Sequence, residues 1–293
     1  MSIEANNYRS RMLSVLQYID AHLDQNLSVD TLCEVAAFSK FHFHRQFSEY
    51  FGIAAIRYVQ LLRLKKASYE LAFREHRKVI EIALDNGYES SEAFSRAFKK
   101  SCGQSPVDFR KQPQWLAWQT APLTIQKMKE QHMSASHQLA DIKIIQFPET
   151  RIAVLAHRGD PQLLGNSIQK FIAWRKQNKL PPHVSATFNL IYDDIETTPP
   201  EDFRFDLCAA VTTPVADNEA GIVNKMIPAG GCAVLRHTGS DTLLGASVRY
   251  LYSVWLPQSG HSLRDFPLFL QRVSFFPDVP EHQMITDIFL PLQ

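Results

Sequence analysis

Apolar residues recur every three or four positions through the first 112 residues. Beyond residue 142 they gather into short runs rich in β-branched and aromatic side chains. The first pattern predicts helices and the second predicts strands. Between them, residues 111–142 hold two prolines, scattered polar residues and no sustained period, which predicts a connector with one short extended piece.

Each half is written twice. In the first, FHRQFSEYFG at 43–52 and FSRAFKKSCG at 94–103 share Phe, Arg, Phe and Gly at an offset of 51. Ser39 and Ser90 stand ahead of them at the same offset, each suited to cap a helix N-terminus. A short apolar helix comes before each serine, VDTLCEVAAF after Ser28 and VIEIALDNGY ahead of Ser90. Short helix, tight turn, capped second helix and closing Gly are the parts of a helix-turn-helix. The intervening AAIRYVQLLRLKKASYELAFREH predicts a long linker helix. About 20 residues at 1.5 Å each would span roughly 30 Å, close to the roughly 34 Å between successive major grooves on one face of B-DNA.

In the second half, AVLAHRGDPQLLGNS at 153–167 returns as AVLRHTGSDTLLGAS at 233–247, with nine of fifteen positions identical. Around the first phrase lie a strand pair, IKIIQF and RIAVLAHRG, a helix over 163–178, and strands ATFNLIYDD and FRFDLCAAV. Around the second lie IVNKMIPA, CAVLRHTG, a helix over 241–256, LFLQRVSFF and QMITDIFLPL. The doubled phrase is then the turn leading into each unit's helix. The expected fold class is multidomain. An all-α domain, residues 1–112, joins two helix-turn-helix units by a linker helix, and residues 113–141 form a linker. An α+β domain, residues 142–293, places two β-α-β-β repeats (142–220 and 221–293) side by side around a central cleft.

Composition adds bounds. Apolar residues at 45% and charged residues at 21% are those of a folded globular chain. No apolar run approaches the roughly 20 residues of a membrane helix, and MSIEANNYRS lacks a signal-peptide core, so the expected location is the cytoplasm, at the nucleoid. Cys33, Cys102, Cys208 and Cys232 form no CxxC pair and read as small buried residues. Over residues 39–111 there are fourteen basic and eight acidic residues, which suits a polyanion-binding module.

On a capped helix starting near residue 40, Phe43 and Phe47 stand four apart and face the core, leaving Lys40, Phe41, His44 and Arg45 outward. Arg can bind guanine O6 and N7 bidentately, His can bond a base edge, and Phe can touch a thymine methyl. In the second copy Phe94 and Phe98 are the core pair, with Ser91, Glu92, Ser95 and Arg96 outward. Backbone phosphates are expected to meet Ser39, Lys40, Lys65, Lys66, Ser90, Lys99 and Lys100.

The stretch from LSVDTLCEVAAFSKFHFHRQFSEYFG through VIEIALDNGYESSEAFSRAFKKSCGQSPVDFR resembles the DNA-binding domain of AraC/XylS-type bacterial transcription regulators, over about residues 8–112. The resemblance implies a seven-helix domain reading double-stranded DNA with two recognition helices. It also places base-reading roles on Phe41, His44, Arg45, Ser91, Glu92, Ser95 and Arg96. The second half, through IYDDIETTPPEDFRFDLC, WLPQSGHSLRDFP and ITDIFLPL, resembles the GyrI-like effector-binding domain. That resemblance implies a cleft for a small, often amphipathic molecule, lined by aromatics, with Trp174, Tyr192, Tyr250, Trp255 and Phe276 as candidates. Many members of that family carry a Glu in the strand after the WLP…SG…D.P segment, where this chain has Leu270. An unpaired carboxylate in an apolar cleft costs several kcal/mol, so its absence removes the usual reason to bind a cation and points to a neutral or amphipathic effector. Asp287 is the remaining acidic candidate.

Taken together the reading is a DNA-binding regulator, with an activator's contact to RNA polymerase as a further partner. No membrane role, no enzyme activity and no cofactor are expected. Alternatives are a hydrolase of a small electrophile and a module touching gyrase or RNA polymerase. GxSxG, HExxH and phosphate-cradling glycine loops are absent from the sequence. His157 and His237 occupy equivalent places, yet read as strand histidines bonded to backbone rather than as metal ligands.

Overall fold

The computed structural model describes residues 3–115, 123–137, 141–195 and 197–293. Two compact units divide the chain, one of Met1–His132 with Phe276–His282, the other of Met133–Phe275 with Gln283–Gln293.

The first unit is helical: α1 (Ile3–Ala21), α2 (Val29–Ala36), α3 (Lys40–Phe51), α4 (Ala55–Phe73), α5 (Val79–Asp85), α6 (Ser91–Cys102), α7 (Pro106–Lys111) and most of α8 (Leu123–Ser136). Local chemistry sets the ends. Ser28, Ser90 and Ser105 accept from the backbone N–H groups of Thr31, Ala93 and Asp108 at 3.1, 3.1 and 3.2 Å. Ser39 holds the N-cap position of α3, but its side chain makes no capping bond there. Helices α3 and α6 close on Gly52 and Gly103, in the left-handed region at φ 71° and 78°, where a Cβ would be strained.

Two cores form, one per helix-turn-helix. Phe43, Phe47 and Phe51 of α3 fill the first with Leu16, Ile19 and Leu32. Phe94 and Phe98 of α6 fill the second with Leu64, Leu71 and Ile82. Helix α4 serves both, giving Tyr58 and Val59 to one and Leu64 and Leu71 to the other. Its 19 residues span about 28 Å.

The connector departs from expectation. Where an extended piece was read, α8 forms, and its Ile125 and Met128 enter the first core. Lys129 on the same helix pairs with Asp20. Residues 116–122 and 138–140 of that stretch lie outside the described residues.

The second unit is an eight-stranded antiparallel sheet: β1 (Ile142–Phe147), β2 (Thr150–Arg158), β3 (Thr187–Ile191), β4 (Arg204–Ala210), β5 (Val223–Ile227), β6 (Gly230–Thr238), β7 (Leu268–Arg272) and β8 (Ile285–Pro291). Helix α9 (Leu164–Gln177) packs on β2 and β4. Its counterpart, α10 (Leu244–Tyr250), packs on β6 and runs on through a π-helical turn, Leu251–Trp255, into α11 (Leu256–Ser259).

The strand order β1-β6-β8-β7-β3-β4-β2-β5 corrects one expectation. Strands β1 and β2 do not pair with each other. Instead β1 pairs with β6 and β5 pairs with β2, so the repeats exchange their first strands. Only two residues separate β1 from β2, a reach of about 10 Å, yet the two strands lie near opposite edges of the sheet. The sheet must therefore curl, and its inner face confirms it. Phe147 of β1 sits 6.0 Å, centroid to centroid, from Phe188 of β3 four strands away, where a flat sheet would put roughly 19 Å between them. Phe147, Phe188, Phe269 and Phe289 fill the curl. The helices cover the outer face over two further clusters, Leu155, Phe171, Trp174 and Leu207 under α9, and Leu235, Tyr250, Leu251, Trp255 and Leu270 under α10.

Candidate functional site

On α3 and α6 the four-spaced phenylalanines take the buried face completely, so the remaining faces are presented outward. Phe41 is 93% exposed, an unusual setting for a large apolar side chain, and His44 and Arg45 flank it, also exposed. On α6, Glu92 and Arg96 are exposed and Ser91 and Ser95 half-buried. Glu92 lies at the α6 N-terminus, where backbone and Ser90 and Ser91 hydroxyl bonds hold its carboxyl below the usual range. It stays an ionised acceptor. The second helix-turn-helix is held to α4 by a network absent from the sequence reading. Buried Glu70 of α4 accepts from Asn86 Nδ2 at 3.0 Å and Arg77 Nη1 at 3.2 Å.

The lysines divide. Lys99 and Lys100 are exposed in the last turn of α6, and Ser90 is engaged in capping. Exposed Lys40 pairs with Asp30 at 2.6 Å, while Lys66 is half-buried. Lys65 departs from expectation: it is 17% exposed and ion-paired to Glu281 at 2.7 Å, so its charge is already answered.

The doubled phrase turns out to be a clasp between strand and helix. His157 Nε2 lies 3.2 Å from the carbonyl oxygen of Asp160 and Nδ1 lies 2.9 Å from Ser167 Oγ. His237 repeats this with Ser240 O at 3.2 Å and Ser247 Oγ at 2.9 Å. A carbonyl only accepts, so Nε2 carries the proton and Nδ1 takes the serine's. Gly159 and Gly239, at φ 98° and 138°, supply the turn. His237 and Ser247 are fully buried, which makes this pair a fastening, and burial lowers the His237 pKa.

Strands β3 and β7 lie side by side at the middle of the sheet. Their outer-face residues pair across as Thr187 with Arg272, Asn189 with Leu270, and Ile191 with Leu268. Asn189 faces Leu207 on β4 and Leu270 faces Ile288 on β8, so Asn189 and Leu270 are equivalent in the two repeats and meet on their pseudo-two-fold axis. Leu270 is fully buried, and Arg272 donates from Nε to Asn189 Oδ1 at 2.9 Å.

A model of the GyrI-like small molecule binding domain matches residues 140–293, and a helix-turn-helix domain model matches residues 32–112. The chain belongs to the GyrI-like family. An AraC-type helix-turn-helix module precedes that domain, and the pair makes a DNA-binding transcriptional regulator. The chain is similar to the probable transcriptional regulator YgiV of Escherichia coli K12, 40% identical over 153 residues, 52% of this chain and 96% of that one. It is similar to the right origin-binding protein of the same strain, 36% identical over 108 residues, 37% of each chain. The solved EcmrR–DNA complex shares 14% identity at a TM-score of 0.45 over 90% of this chain and 98% of that one.

Within the GyrI-like domain the expected pocket residues are not all together. Tyr250, Trp255 and Leu270 share one cluster, and Trp174 lies in the other outer cluster, under α9. Tyr192 and Asp287 face the opposite side of the sheet. Adjacent strand residues point opposite ways, and Ile288 shares the face of Leu270. Asp287 is held bidentately by Arg236 at 2.7 and 2.8 Å. Tyr192 donates to Asp206, a fully buried carboxylate that also pairs with Arg158 and Lys225. Phe276 belongs to the helical unit, edge-on to Tyr69 at 5.0 Å. Among the described residues no helix is long and apolar enough to cross a membrane.

Proposed function

We propose that this transcriptional regulator reads one asymmetric duplex site through α3 and α6 and that its GyrI-like domain binds a small aromatic effector, neutral or amphipathic. The observation that carries the first part is the matched presentation of Phe41, His44 and Arg45 on α3 and of Glu92 and Arg96 on α6, each over its own phenylalanine core. Base edges in two successive major grooves are the partners that suit these groups. Support for the second part is the strip of β3 and β7, with an apolar Leu270 on its axis and Tyr250 and Trp255 beside it. Without a carboxylate at that axis, a cation entering it would lose its hydration for no charge partner.

Footprinting tests the DNA reading. A monomer should protect about 20 base pairs, two turns of one face. Arg45→Ala should cost roughly 1–3 kcal/mol and relax preference at one position in one half-site. Protection of a single turn, or a strict need for a palindrome, overturns the two-headed model.

A further inference from the structure

The loop between β7 and β8, residues 273–284, has a sister in the first repeat, the loop between β3 and β4, residues 192–203, and each is twelve residues long. Their frames match. Asp193 and Ser274 accept from the backbone N–H groups of Arg204 and Ile285 at 2.9 and 2.8 Å, and each loop ends in a 3-10 turn, Pro200–Asp202 and Glu281–Gln283. Three positions between those fixed points are exchanged. Ile195, Thr197 and Pro200, all exposed, correspond to Phe276, Asp278 and Glu281. All three of the latter engage α4: Phe276 lies edge-on to Tyr69, Asp278 pairs with Arg74, and Glu281 pairs with Lys65. Residues 276–282 accordingly fold with the helical unit.

Within that unit the segment reaches both helix-turn-helix heads. It lines a cavity of about 240 Å³ with Leu23, Asp24 and Leu62, and Leu23 and Leu62 pack on the first core. Tyr69, the partner of Phe276, meets Phe73 and Trp115, which pack on the second. Each recognition helix stands on its own core and both cores share α4, so the spacing of α3 and α6 depends on the line of α4 and on what packs along it. Long helices curve gently, and a curve of about 10° over about 28 Å would carry one head roughly 2 Å out of register with its groove. We propose that Phe276, Asp278 and Glu281 are positioning residues for DNA reading, a strap that holds α4 and fixes the distance and twist between the two heads. This rests on the two-headed reading above. The DNA reader is then completed by a segment from the GyrI-like half of the chain, one that residues 1–112 alone do not contain.

The test is binding of the full chain to three duplexes: the one recovered by selection from random sequence, the same duplex with two base pairs inserted between its half-sites, and one half-site alone. The unaltered protein should lose about tenfold or more on insertion. The variant carrying Phe276→Ile, Asp278→Thr and Glu281→Pro, the residues of the sister loop, should lose about threefold or less. It should do so by binding the selected duplex more weakly while binding the half-site as before. Glu281→Gln alone is milder and should fall between, and circular dichroism checks that each variant keeps its helices. A variant that discriminates spacing as the unaltered protein does overturns the positioning role. So does a folded variant that loses half-site and full-site binding equally. Indifference of the unaltered protein to the insertion overturns the two-headed reading on which the inference rests.

Discussion

Ser247→Ala is the substitution whose cost the structure sets most narrowly. Ser247 Oγ lies 2.9 Å from His237 Nδ1 and 2.8 Å from His137 Nε2, and Ser247 and His237 are fully buried. Because His237 Nε2–H is directed to Ser240 O, the serine proton goes to His237 Nδ1 and its lone pairs receive His137 Nε2–H. Removing the hydroxyl strands Nδ1 of His237 in a site water does not reach, at about 1–3 kcal/mol. The half-buried His137 loses its hydrogen bond but can turn to water, which adds about 0.5–1 kcal/mol. The total is about 1.5–4 kcal/mol, roughly 4–12 °C in the transition of a unit this size. Ser167→Ala is the internal control. It breaks the same clasp in the first repeat, but Ser167 is half-buried and holds one histidine, so about 0.5–1.5 kcal/mol is expected. Scanning calorimetry above neutral pH, with hydrogen exchange on β6 and α10 peptides, reads both. Equal losses at the two serines, or a neutral Ser247→Ala, would refute the shared-hydroxyl argument.

Acid should act on the same clasp. Burial lowers the pKa values of His237 and His137, so below about pH 6.5 the unfolded chain takes up protons that the folded one refuses. Stability from these groups is complete above that pH and falls as pH drops toward the folded values, by up to about 1.4 kcal/mol per unit per histidine. A transition temperature of the sheet unit that stays flat from about pH 7 to 5 would contradict this. Ala37→Gly should stabilise the helical unit by up to about 1 kcal/mol, since exposed Ala37 ends α2 at φ 50°, where a Cβ is strained. Denaturant midpoints check it, and a destabilised variant would mean the turn gains more from its Cβ than the strain costs. Replacing Lys99 and Lys100 with Ala should weaken cognate and random DNA alike and shallow the salt slope by about one unit per lost contact. An unchanged slope would assign both lysines to solvent.

Much of the fold was legible because it rests on short-range pattern. Four-spaced phenylalanines, serine caps and closing glycines marked α3 and α6, and short runs of β-branched and aromatic residues marked every strand of the sheet within a few residues. Pairing was not legible, since β1 and β2 read as a hairpin on proximity alone and only the curled sheet shows the exchange. Helix α8 escaped because its apolar positions are few, and Ile125 and Met128 became core through tertiary packing. At the site, Lys65 looked free because the carboxylate that meets it, Glu281, is 216 residues distant. Arg272 and Arg175 escaped for a different reason: neither stands in a motif, and Arg272 meets Asn189 through strand register while Arg175 reaches Thr187 from α9.

The repeats offer a comparison within one chain of what the scaffold needs against what it leaves free. His157 and His237, Ser167 and Ser247, and the glycines after each histidine are identical and do the same work in both copies. Asp206 and Asp287 are also equivalent, since they face Ala156 and Arg236 at matching register positions. Their partners differ. Asp287 is answered directly across the ladder by Arg236, whereas Asp206, facing an alanine, is answered by Arg158, Lys225 and Tyr192. The acid is kept, fully buried at Asp206 and half-buried at Asp287, and its neutralisation is rebuilt, as expected when an uncompensated carboxylate is too costly to leave. On the central strip nothing is kept. Thr187 corresponds to Leu268, Asn189 to Leu270 and Ile191 to Arg272, and each exchange trades a polar group for an apolar one. Symmetric copies would have made a strip with two like ends, unable to orient an asymmetric ligand. Divergence at those positions, with the clasps kept, gives the strip an arginine at one end and an apolar pair at the other, a difference that an amphipathic molecule can read.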